Sequence, residues 1–245
     1  TQTESEARAF AIQILVDKKL NRWGMDELIW EGFYPLEFTP EERKDVMALI
    51  DGAIASIAFS PQDPEWDMTD WLLRKYEISK TDPSILDPLT PMQPYIEFAE
   101  IRDLFIERAI EEGRLEKAKD LLRKGITRAE RSEKLGTVLQ WTNKLLEIAV
   151  KENDQRTIRN LAGRLFLSEG KLDFQYYDLL KSTYSDMEWK VKFEELIAGI
   201  GGGSTEVHFS QAHAIATILK KENQLDHLLA LLHHNTLSFD LITAH

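Results

Sequence analysis

An acidic segment from Asp63 to Asp67 has the residue types that bind calcium. It reads Asp-Pro-Glu-Trp-Asp, and carboxylates at alternate positions open the calcium loop of an EF-hand. The sixth position of such a loop needs glycine for its bend, and the twelfth needs a bidentate glutamate. This chain has Met68 and Arg74 at those positions. We therefore predict no calcium site here.

Histidines could also hold a metal, and all of them fall late in the chain. No two are separated by four residues, the spacing that puts two imidazoles on one helix face, and no His-Glu-x-x-His pattern occurs. Ordinary solvated or hydrogen-bonded histidines are therefore expected, with no metal and no cofactor. The six are His208, His213, His227, His233, His234 and His245.

The sequence has none of the common catalytic patterns. There is no cysteine, which excludes disulfides, thiolate metal sites and a cysteine nucleophile. There is no P-loop, no Gly-x-Ser-x-Gly elbow and no dinucleotide-binding glycine pattern, and the glycines between Gly199 and Gly203 lack the lysine of a phosphate loop. Carboxylates are too abundant to single out an acid/base pair. We predict no catalytic residue.

One segment is basic within an acidic chain. Lysine and arginine number 30 against 42 aspartates and glutamates, a net charge of -12, which disfavours a general polyanion binder. In a helix from Arg114 to Lys134, four cations share a stripe opposite the apolar face, and a fifth lies beside it. Either the stripe is a solvated face or it docks an acidic peptide or domain. We call these five residues the basic stripe: Lys117, Arg123, Lys124, Arg128 and Arg131.

The first part of the chain predicts helices interrupted by proline. Helical periodicity runs from Thr3 to Leu20 and from Pro40 to about Ala58, where Thr39 and Glu42 have the spacing of a capping box. A further helix is predicted from Trp66 to Ile78. An irregular connector is predicted over residues 81–94, and apolar side chains are expected to hold it against the helices. Those side chains are Ile85, Leu86, Leu89 and Met92.

Aromatic residues are concentrated in this first part. They are expected to form the core of an N-terminal lobe, because aromatic rings supply much of a small lobe's buried area, although a binding patch is an alternative. The cluster contains Trp23, Trp30, Phe33, Tyr34, Phe38, Trp66 and Trp71.

From Tyr95 onward the chain contains no proline, which leaves it able to be almost entirely helical. Short signals with glycine or asparagine separate the apolar patterns and predict tight turns between antiparallel helices. Such signals occur at Gly113, Asn153, Gly170 and Asn223, and residues 201–204 predict a flexible break. The predicted helices are 95–113, 115–129, 135–152, 155–168, 174–184, 187–200, 207–221 and 225–234.

The run from Ala109 to Leu122 resembles the inter-helix turn of tetratricopeptide-like repeats, in which a small residue ends one helix and an alanine of the next packs against it. Residues 149–162 and 219–232 are similar, although no 34-residue period is present. The resemblance covers residues 95–235 and implies a scaffold that holds partners. Helical arrays of this general kind also accompany SWIM-type zinc fingers.

Together these patterns predict an all-α protein of antiparallel helical hairpins stacked as a short α-solenoid. Its parts are an N-terminal helical lobe (1–80), a proline-rich connector (81–94) and a hairpin array (95–245). The array would continue beyond residue 245 if the natural chain is longer. The favoured function is a non-enzymatic interaction scaffold in the cytoplasm with a protein partner, an acidic one if the basic stripe is used. No signal peptide or membrane-spanning stretch is found. A nucleic-acid module using the stripe and an enzyme with a pocket beside the connector are alternatives.

Overall fold

The computed structural model describes residues 6–7, 10–11, 13–14, 30–32, 38–57, 64–166, 173–200 and 209–234. Within these ranges the backbone is helical or in turns and bends, and no strand occurs, which confirms the all-α prediction. Helices with defined bounds are α1 Pro40–Ile57, α2 Pro64–Lys80, a 3-10 helix Thr90–Tyr95, α3 Ala99–Glu111, α4 Leu115–Arg131, α5 Leu135–Lys151, α6 Gln155–Phe166, α7 Phe174–Ser182, α8 Asp186–Ile200, α9 Phe209–Lys221 and α10 Leu225–His234.

Helix α1 begins at the predicted capping box. The Thr39 N–H donates to Glu42 Oε2 over 2.9 Å, and the Glu42 N–H donates to Thr39 Oγ1 over 3.3 Å. These reciprocal bonds satisfy two backbone donors that the first helical turn leaves without a partner. The start of α1 is therefore determined by local sequence.

The connector is held down by Leu89 and Met92, which are 2% and 1% exposed. They lie three residues apart around the 3-10 helix, so both face the same side. The prediction for Leu86 is wrong, because this side chain is 99% exposed. Leu86 comes before the turn made by Asp87, whose carboxylate accepts hydrogen bonds from the backbone N–H groups of Leu89 and Thr90, and so it is not on the buried side.

The chain forms two compact units, residues 1–125 and 126–245, and the division falls within α4. The predicted lobe, connector and beginning of the array all lie in the first unit. In that unit α1 packs on α2 and α2 on α3.

The core of the first unit confirms part of the aromatic prediction. Trp30 and Phe38 are buried with apolar residues of α1 and α2, and Trp71 packs against them with its ring 5.6 Å from that of Trp30. The guanidinium of Arg74 lies 4.9 Å from the Trp30 ring and is 2.8 Å from Asp70. Trp23, Phe33, Tyr34 and the Trp66 side chain lie outside the described residues.

The same turn closes four of the helices. A residue with positive φ lies just after the helix, and its N–H donates to the carbonyl oxygen three residues earlier. The N–H of the next residue donates to the carbonyl oxygen five residues before it. This pair of bonds is the Schellman motif. The longer bond runs from Arg114 to Ala109, from Lys134 to Ala129, from Asp154 to Ala149 and from Gln224 to Leu219, over 2.8–2.9 Å. The residues with positive φ are Gly113, Glu133, Asn153 and Asn223.

Three of these turns are evenly spaced, at residues 113, 133 and 153, so one helix and its turn occupy 20 residues. The residue four before each turn is a buried alanine, namely Ala109, Ala129 or Ala149. The turns at 113, 153 and 223 match the predicted signals. The turn at Glu133 falls between the predicted helices 115–129 and 135–152, but it has neither glycine nor asparagine, so no turn signal was predicted there. The signal at Gly170 lies outside the described residues.

These turns give a matched pair of stability predictions. At Gly113, φ is +71° and an added Cβ would meet no atom within 4 Å, so Gly113→Ala adds only backbone strain. We expect it to lower the free energy of unfolding by about 1–2 kcal/mol. Glu133→Gly removes the same strain at φ 56° and should raise that free energy by up to about 1 kcal/mol. Urea unfolding followed by circular dichroism would measure both, and equal shifts of one sign would contradict the assignment.

In the second unit, α5 packs on α6, α6 on α7, α9 on α10 and α8 on α9. A chain of aromatic rings joins the middle of this unit, with neighbouring ring centroids 5.3–6.4 Å apart. The rings belong to Phe166, Phe174, Tyr177, Trp189 and Phe193. The predicted break at residues 201–204 lies outside the described residues.

Candidate functional site

The basic stripe lies on α4, and all five of its side chains are exposed. The opposite side of the helix is apolar and buried, and it includes Ala118, Leu122 and Ala129. This separation follows from the sequence, because α4 repeats its apolar residues at three and four positions. The stripe is therefore a solvent-facing surface.

The acidic residues of the same helix form ion pairs, one of them with a cation of the basic stripe. Lys124 Nζ lies 2.8 Å from Asp120, four residues earlier, and Lys119 pairs with Glu116. Glu130 Oε1 lies 2.5 Å from Arg164. The pairing of Lys124 with Asp120 was not predicted, although the sequence contains their i, i+4 spacing. Helix α4 keeps six cations against three carboxylates and so remains net positive.

A second cluster lies in the first unit, in a pocket of about 320 Å³ between the connector and α2 and α3. Arg108 Nη1 lies 2.6 Å from Asp87 Oδ1 and Arg108 Nε lies 3.0 Å from Glu112 Oε1. Hydrogen bonds from Thr90 and from Arg108 lower the pKa of Asp87 to about 2. An ionised carboxylate with these bonds fixes the connector and is a poor general acid or base near neutral pH.

A third feature is a groove of about 630 Å³ in the second unit, between α8, the end of α7 and the turn from α9 to α10. Glu222 and Gln224 come from that turn and Lys181 from α7. Helix α8 contributes the remaining lining residues: Asp186, Trp189, Lys190, Val191, Phe193 and Glu194. No sequence pattern predicted this groove.

Glu222 anchors one side of the groove. It accepts hydrogen bonds from the Tyr177 hydroxyl over 2.8 Å and from Lys181 Nζ over 2.7 and 2.9 Å. Burial alone would raise the pKa of Glu222, but the bonds from Lys181 and Tyr177 outweigh it and hold this pKa below its usual value. Burial, together with the bond to Glu222, raises the pKa of Tyr177. Glu222 is thus ionised and Tyr177 neutral near neutral pH.

Trp189 lines the groove and is 6% exposed. Its ring is 5.4 Å from Tyr177 and 5.9 Å from the ammonium group of Lys181. The buried indole Nε1 makes no hydrogen bond of standard geometry, although its proximity to Glu222 helps to lower the pKa of that carboxyl. A buried donor without a full hydrogen bond typically costs about 1–3 kcal/mol.

The outer side of α8 exposes large apolar residues. Met187 is 81% exposed and Val191 is 65% exposed, and they are four residues apart on one helix face. The face turned inward carries Trp189, Phe193 and Leu196, which are buried. Helix α8 therefore has an apolar strip next to the groove as well as a buried one.

Histidines form no metal site in the described part of the chain, where no group of three or more His, Asp or Glu side chains could hold an ion. His213 and His227 are exposed. His208 and His245 lie outside the described residues, as do the side chains of His233 and His234.

Among the described helices, none combines the length and hydrophobicity needed to cross a bilayer. Comparison of the chain with family models, curated proteins and solved structures found no match.

Proposed function

We propose that this protein is a non-enzymatic interaction scaffold of the cytoplasm and that α4 docks an acidic segment of a protein partner. The observation that carries the proposal is the exposure of all five stripe cations on one helix that stays net positive in a chain of net charge -12. The proposed architecture is a tetratricopeptide-like stack of hairpins, which the repeated turn supports.

An acidic segment fits this surface for electrostatic reasons. Arginine side chains form directional paired bonds with carboxylates, and exposed opposite charges accelerate encounter at low salt. Asp120 and Glu130 offset part of the local charge, so affinity should depend on several cations acting together. Nucleic acid is disfavoured because the rest of the chain repels phosphates at long range.

Charge reversal tests the proposal. We expect the triple variant Lys124→Glu, Arg128→Glu and Arg131→Glu to weaken binding of a fluorescein-labelled oligoglutamate peptide by at least about tenfold and to remove its salt dependence. The melting temperature should change only slightly, because exposed ion pairs contribute little to folding. Fluorescence anisotropy at low and moderate salt measures the binding.

The matched control makes the same change of net charge elsewhere, at three exposed cations outside α4. Lys44→Glu, Lys151→Glu and Arg156→Glu should leave most of the peptide binding intact. Equal losses in the two triple variants would show that overall charge, and not the basic stripe, governs binding. Tighter binding of a single-stranded oligonucleotide than of the peptide would favour the nucleic-acid alternative.

A further inference from the structure

We propose that the groove beside α8 binds a peptide segment of a second protein partner in which an apolar side chain is next to a lysine or arginine. This surface lies wholly in the second unit. Its preference for charge is opposite to that of the basic stripe, and the proposal does not depend on the function assigned to α4.

The apolar part of the ligand is indicated by Val191 and Met187. Two large apolar side chains exposed to 65% and 81% on one helix face mark a contact site more often than isolated exposed residues do. Val191 also lines the groove, whose volume of about 630 Å³ accommodates a few side chains. An apolar side chain of the ligand would cover Val191 where it lines the groove.

The peptide character of the ligand is indicated by two unlike surfaces that adjoin on one helix, the apolar strip of Met187 and Val191 and the carboxylates of Asp186 and Glu194. A peptide with an apolar and a basic side chain within one helical turn matches both at once. Trp189 lines the groove from its buried side, and its indole N–H is closed to solvent beside Glu222, so the ligand does not depend on this donor.

The basic part of the ligand follows from the charges that remain. Lys181 is held by Glu222, so the groove presents Lys190 against Asp186 and Glu194, all on α8 and all exposed. Lys190 is four residues from each carboxylate and can neutralise only one of them. The residual negative charge, in a chain of net charge -12, attracts a cation to the edge of the groove.

Selection from a displayed library of random short peptides tests the proposal with the full 245-residue chain. The wild-type protein is the bait, and a Val191→Glu variant is used for counter-selection. We expect the enriched peptides to share a leucine, isoleucine, methionine or phenylalanine within one helical turn of a lysine or arginine. Enrichment of acidic peptides, or none above the counter-selected background, would overturn the proposal.

Variants then separate the two parts of the site, with one enriched peptide as the probe in fluorescence anisotropy. Val191→Glu should weaken binding by at least about tenfold. Glu194→Lys should weaken it about fivefold through charge. Circular dichroism shows whether each variant is folded, and Glu194→Lys keeps the test valid if Val191→Glu is not.

The controls make equivalent changes on other exposed positions of the same unit. Leu229→Glu replaces a side chain that is 55% exposed on α10, and Glu147→Lys reverses a charge on α5. Both should leave the affinity within about twofold of wild type. If Leu229→Glu reduced binding as much as Val191→Glu, the peptide would not occupy this groove and the inference would fail.

Discussion

Replacing Phe166 with alanine should lower the free energy of unfolding by about 3–5 kcal/mol, the usual range when a buried aromatic ring is removed. Phe166 is fully buried at the end of α6, and its ring centroid lies 5.3 Å from Tyr177 and 6.3 Å from Phe174. The cavity would therefore open where α6 and α7 meet. Urea unfolding followed by circular dichroism gives the size of the loss.

Hydrogen exchange measured by mass spectrometry would show which helices the Phe166→Ala substitution destabilises. Faster exchange should be concentrated in the second unit, because the contacts of Phe166 lie within it. Phe166→Leu is the matched variant, and we expect it to lose only about 1–2 kcal/mol since most of the buried volume remains. A loss below 1 kcal/mol for the alanine variant would mean that α6 and α7 do not pack as described.

Replacing Glu222 with glutamine should lower the free energy of unfolding by about 1–2 kcal/mol at neutral pH, because it weakens the bonds to Tyr177 and Lys181. The expected loss is moderate because the Lys181 side chain is 43% exposed and its ion pair with Glu222 is partly screened by solvent. Glutamine has nearly the same shape as glutamate, so the change in the free energy of unfolding measures the contribution of the negative charge. Urea unfolding over a pH series measures it.

The sign of the pH dependence follows from the lowered pKa of Glu222. A carboxyl whose pKa is lower in the folded than in the unfolded chain stabilises the fold above its unfolded value of 4.5 and loses that effect as pH falls through its folded value. The difference between wild type and Glu222→Gln should thus be constant near neutral pH and shrink in acid. A difference that grew in acid would refute the assignment.

Lys192→Met provides a control in the same unit. Lys192 Nζ lies 2.9 Å from Glu195, but these side chains are 36% and 61% exposed. Removal of this pair should change the free energy of unfolding by less than about 1 kcal/mol. A loss equal to that of Glu222→Gln would show that the partly buried bonds of Glu222 stabilise the fold no more than an exposed ion pair does.

Features that depend on neighbours in sequence could be predicted from it. The capping box of Thr39 and Glu42 and the turns at Gly113, Asn153 and Asn223 each require residues within one helical turn of each other. The turn at Glu133 gave no glycine or asparagine signal, because a glutamate at positive φ is rare and its two backbone hydrogen bonds cannot be read from residue type. Leu86 was misplaced because hydrophobicity alone does not show which side of a loop is buried.

The groove could not be predicted because it depends on distant contacts. Tyr177 and Glu222 are 45 residues apart, and no local pattern indicates that their side chains meet. Met187 and Val191 are apolar and four residues apart, a spacing that core-facing residues of a helix also have, and it is the structure that shows Trp189 and Phe193 buried instead. The positions of the basic stripe were predictable, since one helix contains all of it.

The 20-residue interval between turns has an evolutionary consequence. Duplication or loss of one 20-residue interval between Gly113 and Asn153 would keep each buried alanine four residues before its turn. Relatives of this chain that differ in length within this region should therefore differ by multiples of about 20 residues.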